Sequence, residues 1–263
     1  GLKDVIMNVT REEFKAYQDE LYRPDNMVIT VAGDVDHDTV VEEVKKLFPM
    51  KKAVTDFEWP AFAWKDEGER VILQEKKTEQ GHVVVGFPGY PEGHPDHWAK
   101  KLLAIVLGGN MSSRMFLGVR EAKGLAYYIS TSTDDYADVG AISTRAGVDL
   151  NRVYDAVSAI AEQYRLVRDE GVTEKELQKA KDYWKGKMIL KLEDSEAVAH
   201  LLGKQEVLRD GIKTVEEIHA ALDKVTCADL KRVAEDLFHP EKMYLAGIGP
   251  WTDKDKFRER LVF

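Results

Sequence analysis

Arg120 and Tyr127 stand seven residues apart within Gly108–Tyr128, which reads GGNMSSRMFLGVREAKGLAYY. A guanidinium and a phenol that converge on one point can donate hydrogen bonds to a carbonyl oxygen gaining negative charge, the electrostatic part of acyl-transfer catalysis. The local sequence can bring them together. Ser112 or Ser113 is placed to cap a short helix, Met115, Phe116 and Val119 give it an apolar stripe, and Gly124 suits a left-handed end. A strand then starts at about Leu125, so Arg120 falls in the last helical turn and Tyr127 at the strand's beginning. The same residues also have an ordinary reading, since an arginine near a helix C-terminus complements the macrodipole and a tyrosine opening a strand packs with a wet hydroxyl. On types and spacing alone the ordinary reading is the heavier.

The elements around this stretch follow from periodicity and caps. Thr10 and Glu13 form a capping box ahead of a helix over about 11–22, which Pro24 stops. A strand over 27–32 runs into Gly33, and a second helix covers about 38–48. Residues 49–68 lack periodicity and hold Phe57, Trp59, Phe62 and Trp64, which suit a linker held down by its aromatic side chains; an exposed partner patch is the alternative. Strands follow over about 70–74 and 82–87, then a helix over about 96–107. Beyond Tyr127, residues 128–133 pair with 140–146 across a turn at 134–138. Helices then dominate: one capped by Asn151 and closed by Gly171, a long one headed by the box Thr173 and Glu176, and others over about 195–209, 215–223 and 227–238.

Composition removes several classes of function. The 263 residues are 44% hydrophobic and 32% charged, with a net charge of −9, so no broad cationic face for nucleic acid or anionic membrane is expected. Lysine clusters such as Lys45, Lys46, Lys51 and Lys52 are interleaved with acids and read as solvated. Cys227 is the one cysteine, which excludes an intrachain disulfide and a cysteine-rich metal site. Its place at a helix N-terminus suits a reactive thiol less than a packed residue, because no histidine lies nearby in sequence. His94 and His97, in H-P-D-H, have a spacing that can serve a metal, yet they lack a third ligand in the sequence and read as solvated. No apolar run is long enough to span a membrane, and the first residues, GLKDVIMNVTREEF, contain no hydrophobic signal core.

A repeat joins the two ends of the chain. Thr226–Met243 lies over Thr10–Met27 without a gap at an offset of 216, with Leu21, Pro24, Met27 and Gly33 meeting Leu237, Pro240, Met243 and Gly249. Apolar positions agree as well, Phe14 with Leu230 and Tyr17 with Val233. So long a period signifies two copies of one domain. Since the second copy starts near residue 69, the start of the first is expected roughly 150 residues before Gly1. The chain is thus expected to hold the end of a first domain (1–50), a linker (51–68) and a complete second domain (69–263).

With the repeat in place, the chain resembles the pitrilysin-like, insulinase-type zinc metallopeptidases, in particular the small bacterial enzymes akin to mitochondrial processing peptidase. The residues that carry the resemblance are Tyr22–Val35, YRPDNMVITVAGDV, Gly109–Phe116, GNMSSRMF, and Val119–Tyr127, VREAKGLAY. It implies two homologous α+β domains, each an antiparallel or mixed sheet covered on one side by helices, facing each other as halves of a clamshell. This chain would contribute one complete metallopeptidase-like domain and the last helix, strand and helix of the first. In that family the first domain carries an inverted zinc motif, H-x-x-E-H, whose glutamate is the general base to a metal-bound water. The second supplies an arginine and a tyrosine that match Arg120 and Tyr127. No H-x-x-E-H occurs among the seven histidines here, so no metal ligand is assigned to this chain, and zinc is expected in the missing first domain or a partner.

The resemblance therefore implies the C-terminal, substrate-binding portion of a zinc endopeptidase for oligopeptides or unfolded segments, inactive alone, in which Arg120 and Tyr127 bind the substrate carbonyl and stabilise its oxyanion. The alternative is a non-catalytic interaction or structural subunit that pairs with a metal-bearing chain. Expected partners are a peptide substrate and a metal-bearing homologous domain or subunit, with a dimer also allowed and neither nucleic acid nor membrane involved. The low cysteine content and the resemblance point to a bacterial cytoplasm.

Overall fold

The structure, a computed structural model, describes residues 1–49, 59–63, 68–208 and 211–262. It divides into two compact units, one of residues 1–61 with 190–212 and the other of residues 62–189 with 213–263. In the first unit a short helix, α1 (Lys3–Asn8), precedes α2 (Arg11–Leu21). At the head of α2 the Thr10 hydroxyl accepts from the Glu13 amide at 3.2 Å, and the Glu13 carboxylate accepts from the Thr10 amide at 2.7 Å. These bonds satisfy donors that a helix start leaves open. A 3₁₀ turn at Pro24–Asn26 follows, and then α3 (His37–Leu47), capped by Asp36.

The second unit is built on one five-stranded sheet. Its elements in chain order are β1 (Val71–Glu75), β2 (Gly81–Gly89), α4 (His97–Gly108), a π-helix at Phe116–Glu121, β3 (Ala126–Asp135), β4 (Gly140–Val148), α5 (Val153–Glu170) and α6 (Glu174–Lys191). After α7 (Ser195–Leu208), which groups with the first unit, come α8 (Val215–Asp223), α9 (Cys227–Leu237), β5 (Tyr244–Gly249) and α10 (Lys254–Arg258). The strand order is β1-β5-β2-β4-β3, with β1 and β5 parallel and the other pairs antiparallel. Alternation along β2 turns Val83, Val85 and Phe87 to the core and His82 and Val84 to the other face. Helices α4, α5 and α9 pack on the core face. The α+β class and the sheet covered on one side by helices thus agree with expectation.

Aromatic rings close the core. Phe87, Tyr164 and Phe238 lie with centroids 4.8 to 5.0 Å apart in tilted and edge-on arrangements. The hydroxyl of the fully buried Tyr164 would be costly if unpaired, but it shares a 2.7 Å hydrogen bond with Thr144, which shares another of 2.7 Å with Thr131. This chain of hydroxyls ties α5 to β4 and β3. Next to it, α4 ends so close to β3 that a Cβ on Gly108 would come within 2.4 Å of the Thr131 amide nitrogen.

The two copies of the repeat agree element for element as far as Met27. Helix α2 matches α9, the turn at Pro24–Asn26 matches that at Pro240–Lys242, and both helices start with threonine capping boxes. Their environments differ. Leu230, Val233 and Phe238 are fully buried, whereas their counterparts Phe14, Tyr17 and Tyr22 are 66%, 58% and 56% exposed.

Three expectations need correction. Residues 27–32, expected as a strand, pair with no strand among the described residues, although their counterpart β5 is central in the sheet. A strand exists only through its ladder, and sequence pattern alone cannot supply one. Asn151 does not cap α5, which starts after Arg152 without a side-chain cap, while the Asn151 amide donates to Asp149 instead. The aromatic linker is not packed down at Trp59, which is 76% exposed, nor at Phe62, which is exposed; Phe57 and Trp64 lie outside the described residues. Among the described residues no helix is long and apolar enough to cross a membrane.

The close contact at Gly108 gives a direct test of how tightly α4 sets the position of β3. Gly108→Ala is expected to cost about 2 kcal/mol by overpacking. Gly93→Ala, where a Cβ meets nothing within 4 Å, should stay within about 0.5 kcal/mol of the parent in urea unfolding.

Candidate functional site

The stretch between α4 and β3 is held at each of its bends. The Asn110 side chain accepts from the Ser112 amide and hydroxyl at 2.9 and 2.7 Å, and its carbonyl accepts from the Ser113 hydroxyl at 2.6 Å. Neither serine is the side-chain cap expected of it, because both hydroxyls turn back to Asn110 and the π-helix starts without one. Arg114, which the sequence reading did not single out, makes a paired contact with Glu176 at 2.7 and 2.9 Å and donates to the Gly171 carbonyl at 2.9 Å. Burial acts to raise the pKa of Glu176, but the Arg114 bonds and those from Thr173 outweigh it and bring it to about 2. The stretch is thereby pinned to the head of α6.

Arg120 sits in the π-helix, whose wider turn is closed by the Ala122 amide on the Leu117 carbonyl at 2.9 Å. Single π turns often mark functional sites, because the extra residue per turn redirects the side chains around it. Met115, Val119 and Leu125 anchor the segment in the core, leaving Arg120 with its guanidinium over the Phe116 ring at 4.6 Å. Its Nε lies 4.0 Å from Glu121. Gly124 has φ 58°, the left-handed end that the sequence predicts, and Arg152 reaches the Gly124 and Lys123 carbonyls at 3.4 and 3.3 Å.

Tyr127 lies in a second irregularity. Ala126 pairs with Val148 and Tyr128 with Gly147, so Tyr127 is an extra residue in a β-bulge. In a regular strand Tyr127 and Tyr128 would point to opposite faces; the bulge leaves both exposed while Ala126 and Ile129 stay in the core. Tyr127 is 62% exposed, and among the described residues neither it nor Arg120 makes a side-chain hydrogen bond. A π-helix and a bulge, separated by one tight corner, thus hold out a guanidinium and a phenol with donors unused. A guanidinium and a phenol that reach one point can both donate to a carbonyl oxygen.

Among the described residues, Glu92, His97 and Asp135 form a group whose ligand atoms lie within 4.8 Å of one another. His97 is buried, contrary to the solvated reading, because it opens α4 against Glu92, 3.9 Å away. The group does not suit a hydrolytic zinc. Both Asp135 oxygens are taken, one by Lys100 at 2.5 Å and the other by Lys101 at 2.9 Å, so the positive charge a metal would bring is already present. Burial raises the Asp135 carboxyl, yet the two ammonium groups win and hold it at about 2. Cys227 is half-buried with its thiol pushed up, first by burial and then by Glu174, which agrees with a packed residue.

A family model described as the peptidase M16 inactive domain matches residues 8–183. A protein of Streptomyces coelicolor, described as an uncharacterized zinc protease, is 32% identical over 98% of this chain and 57% of its own length. A Bacillus subtilis protein with the same description is 33% identical over 95% of this chain and 60% of its own. The crystal structure of a protease from Helicobacter pylori has this fold, with a TM-score of 0.83 at 24% identity, over 95% of this chain and 61% of that one. The chain thus spans rather more than half the length of the relatives it matches.

The buried pair sets a prediction. Asp135→Asn is expected to cost about 3 kcal/mol at pH 7, because it strands the Lys100 ammonium. The folded pKa lies below the ordinary value of 3.8, so the carboxylate's contribution is complete above about pH 4 and fades as pH falls toward about 2. Urea midpoints of parent and variant should therefore converge over that interval.

Proposed function

The chain belongs to the M16 peptidase family through its inactive domain, and on that premise we propose that it is the substrate-binding portion of a zinc endopeptidase whose metal and general base lie in a homologous half. The observation that carries this reading is the corner at which the π-helix and the bulge hold Arg120 and Tyr127 outward with unused donors. A purely structural role would have given these donors acceptors within the fold. With Tyr127 exposed and Arg120 half-buried, and neither donor engaged among the described residues, they are free to receive an acceptor from outside.

In this reading a peptide chain lies extended along a sheet edge, where backbone hydrogen bonds provide affinity with little demand on sequence. The Arg120 guanidinium and the Tyr127 phenol donate to the scissile carbonyl, fixing its orientation and favouring the tetrahedral oxyanion over the planar ground state. Zinc chemistry belongs to the partner half, since the described acidic and histidine group of this chain is neutralised by lysines. The bare apolar residues of the first copy, Phe14, Tyr17 and Tyr22, support a metal-bearing half as the companion, because the same positions in the second copy are core.

A purely structural subunit of this fold needs the apolar contacts but not the outward pair. The two roles separate in the complete, metal-bearing peptidase assayed on a quenched-fluorescence peptide. Arg120→Ala and Tyr127→Phe should each lower kcat by about 10²-fold, with the assembly and its zinc content unchanged. Full turnover in both variants would leave only the structural role.

A further inference from the structure

Several arginines of the second unit spend their donors on carboxylates. Arg114 gives Nε and one terminal nitrogen to Glu176 at 2.7 and 2.9 Å, and Arg165 does the same to Glu162 at 2.8 and 2.7 Å. Arg232 meets Asp96 with both terminal nitrogens at 2.8 and 2.6 Å. Paired contacts of this kind fix a guanidinium firmly and leave it little to offer a ligand. Arg120 is held in another way. Its guanidinium carbon lies 4.6 Å from the centre of the Phe116 ring, while the Glu121 carboxylate stays 4.0 Å from Nε, beyond hydrogen-bond reach.

An aromatic face attracts a cation through the quadrupole of the ring and needs no N–H aimed at a partner. It can therefore restrain an arginine and leave all of its N–H donors open. Phe116 and Arg120 stand at positions i and i+4 of the π-helix segment, where side chains on successive turns meet. The buried Met115 and Val119 fix the backbone from which both project, and Phe116 is itself half-buried. A long side chain seated before substrate arrives has already lost the rotamer freedom that binding would otherwise remove. We infer that Phe116 is a positioning residue for Arg120, its ring seating the guanidinium in advance so that the scissile carbonyl meets a fixed donor. This rests on the reading of Arg120 as a carbonyl-binding residue.

Two measurements test the seat, one of them independent of turnover. In proton–nitrogen NMR spectra of the full chain, the ring current of Phe116 should shift the Arg120 Nε–H upfield. Phe116→Leu should abolish that shift and Phe116→Tyr should keep it, since leucine has no π face and tyrosine has the same one. In the complete, metal-bearing peptidase, Phe116→Leu should lower kcat on a quenched-fluorescence peptide by about tenfold with KM unchanged, and Phe116→Tyr should turn over at the parent rate. In an Arg120→Ala background the leucine substitution should have no further effect. An Nε–H signal unmoved in Phe116→Leu overturns the seat, as does the same loss of kcat with Arg120 already removed, which is what packing alone would give. Full turnover in Phe116→Leu while Arg120→Ala is slow also overturns it and leaves the carbonyl role intact. Full turnover in Arg120→Ala, with the upfield shift lost in Phe116→Leu, upholds the seat and removes the carbonyl role instead.

Discussion

A strand needs partners for its backbone amides and carbonyls, and much about this chain follows from where that need is met and where it is not. In the second copy of the repeat, β5 has β1 parallel on one side and β2 antiparallel on the other. In the first copy the corresponding residues, 27–32, are paired with no strand among the described residues. Capping boxes, helix lengths and the proline turn are local features and form equally in both copies. The ladder and the burial of Phe14 and Tyr17 depend on neighbours, which the described residues do not supply around the first copy. Local instructions and tertiary fulfilment are here separated within a single chain.

The same dependence on pairing shapes the corner that bears Arg120 and Tyr127. One extra residue per turn in the π-helix and one extra residue in β3 are small departures from regular geometry, each of which would be corrected if its surroundings allowed slippage. They are held by strong fixtures on either side: Arg114 on Glu176 and Gly171, Arg152 on the carbonyls at the corner, and Gly108 against Thr131. Two anchored irregularities in succession thus place Arg120 in a π-helix and Tyr127 in a bulge, positions that a regular helix and a regular strand do not offer. The rigid part of the fold carries the exposed part.

Much of this was legible in the residues. Gly124 announced the left-handed corner, Thr10 and Thr173 the capping boxes at the heads of α2 and α6, and the repeat the relation between the two ends. What escaped was whatever depends on partners distant in sequence. The π turn and the bulge come from hydrogen-bond register, which Met115 and Ala126 fix from the core and which periodicity does not encode. His97 looked solvated because its loop is polar, yet Glu92 and the lysine-bound Asp135 enclose it. Residues 27–32 had the composition of a strand but not its ladder. Arg120 and Tyr127 have ordinary explanations on their types and spacing, and the role proposed for them comes from the family resemblance rather than from the residues alone.

On the function proposed above, this chain completes its first copy, and with it a peptidase site, only against a homologous metal-bearing half. Backbone hydrogen exchange reads that completion directly. In the isolated chain the amides of Val28, Ile29 and Val31 should exchange rapidly while those of Leu245 and Gly247 are protected. On addition of the zinc-bearing half, the first set should slow toward the second as peptidase activity appears. Activity restored with residues 27–32 still exchanging freely would contradict it.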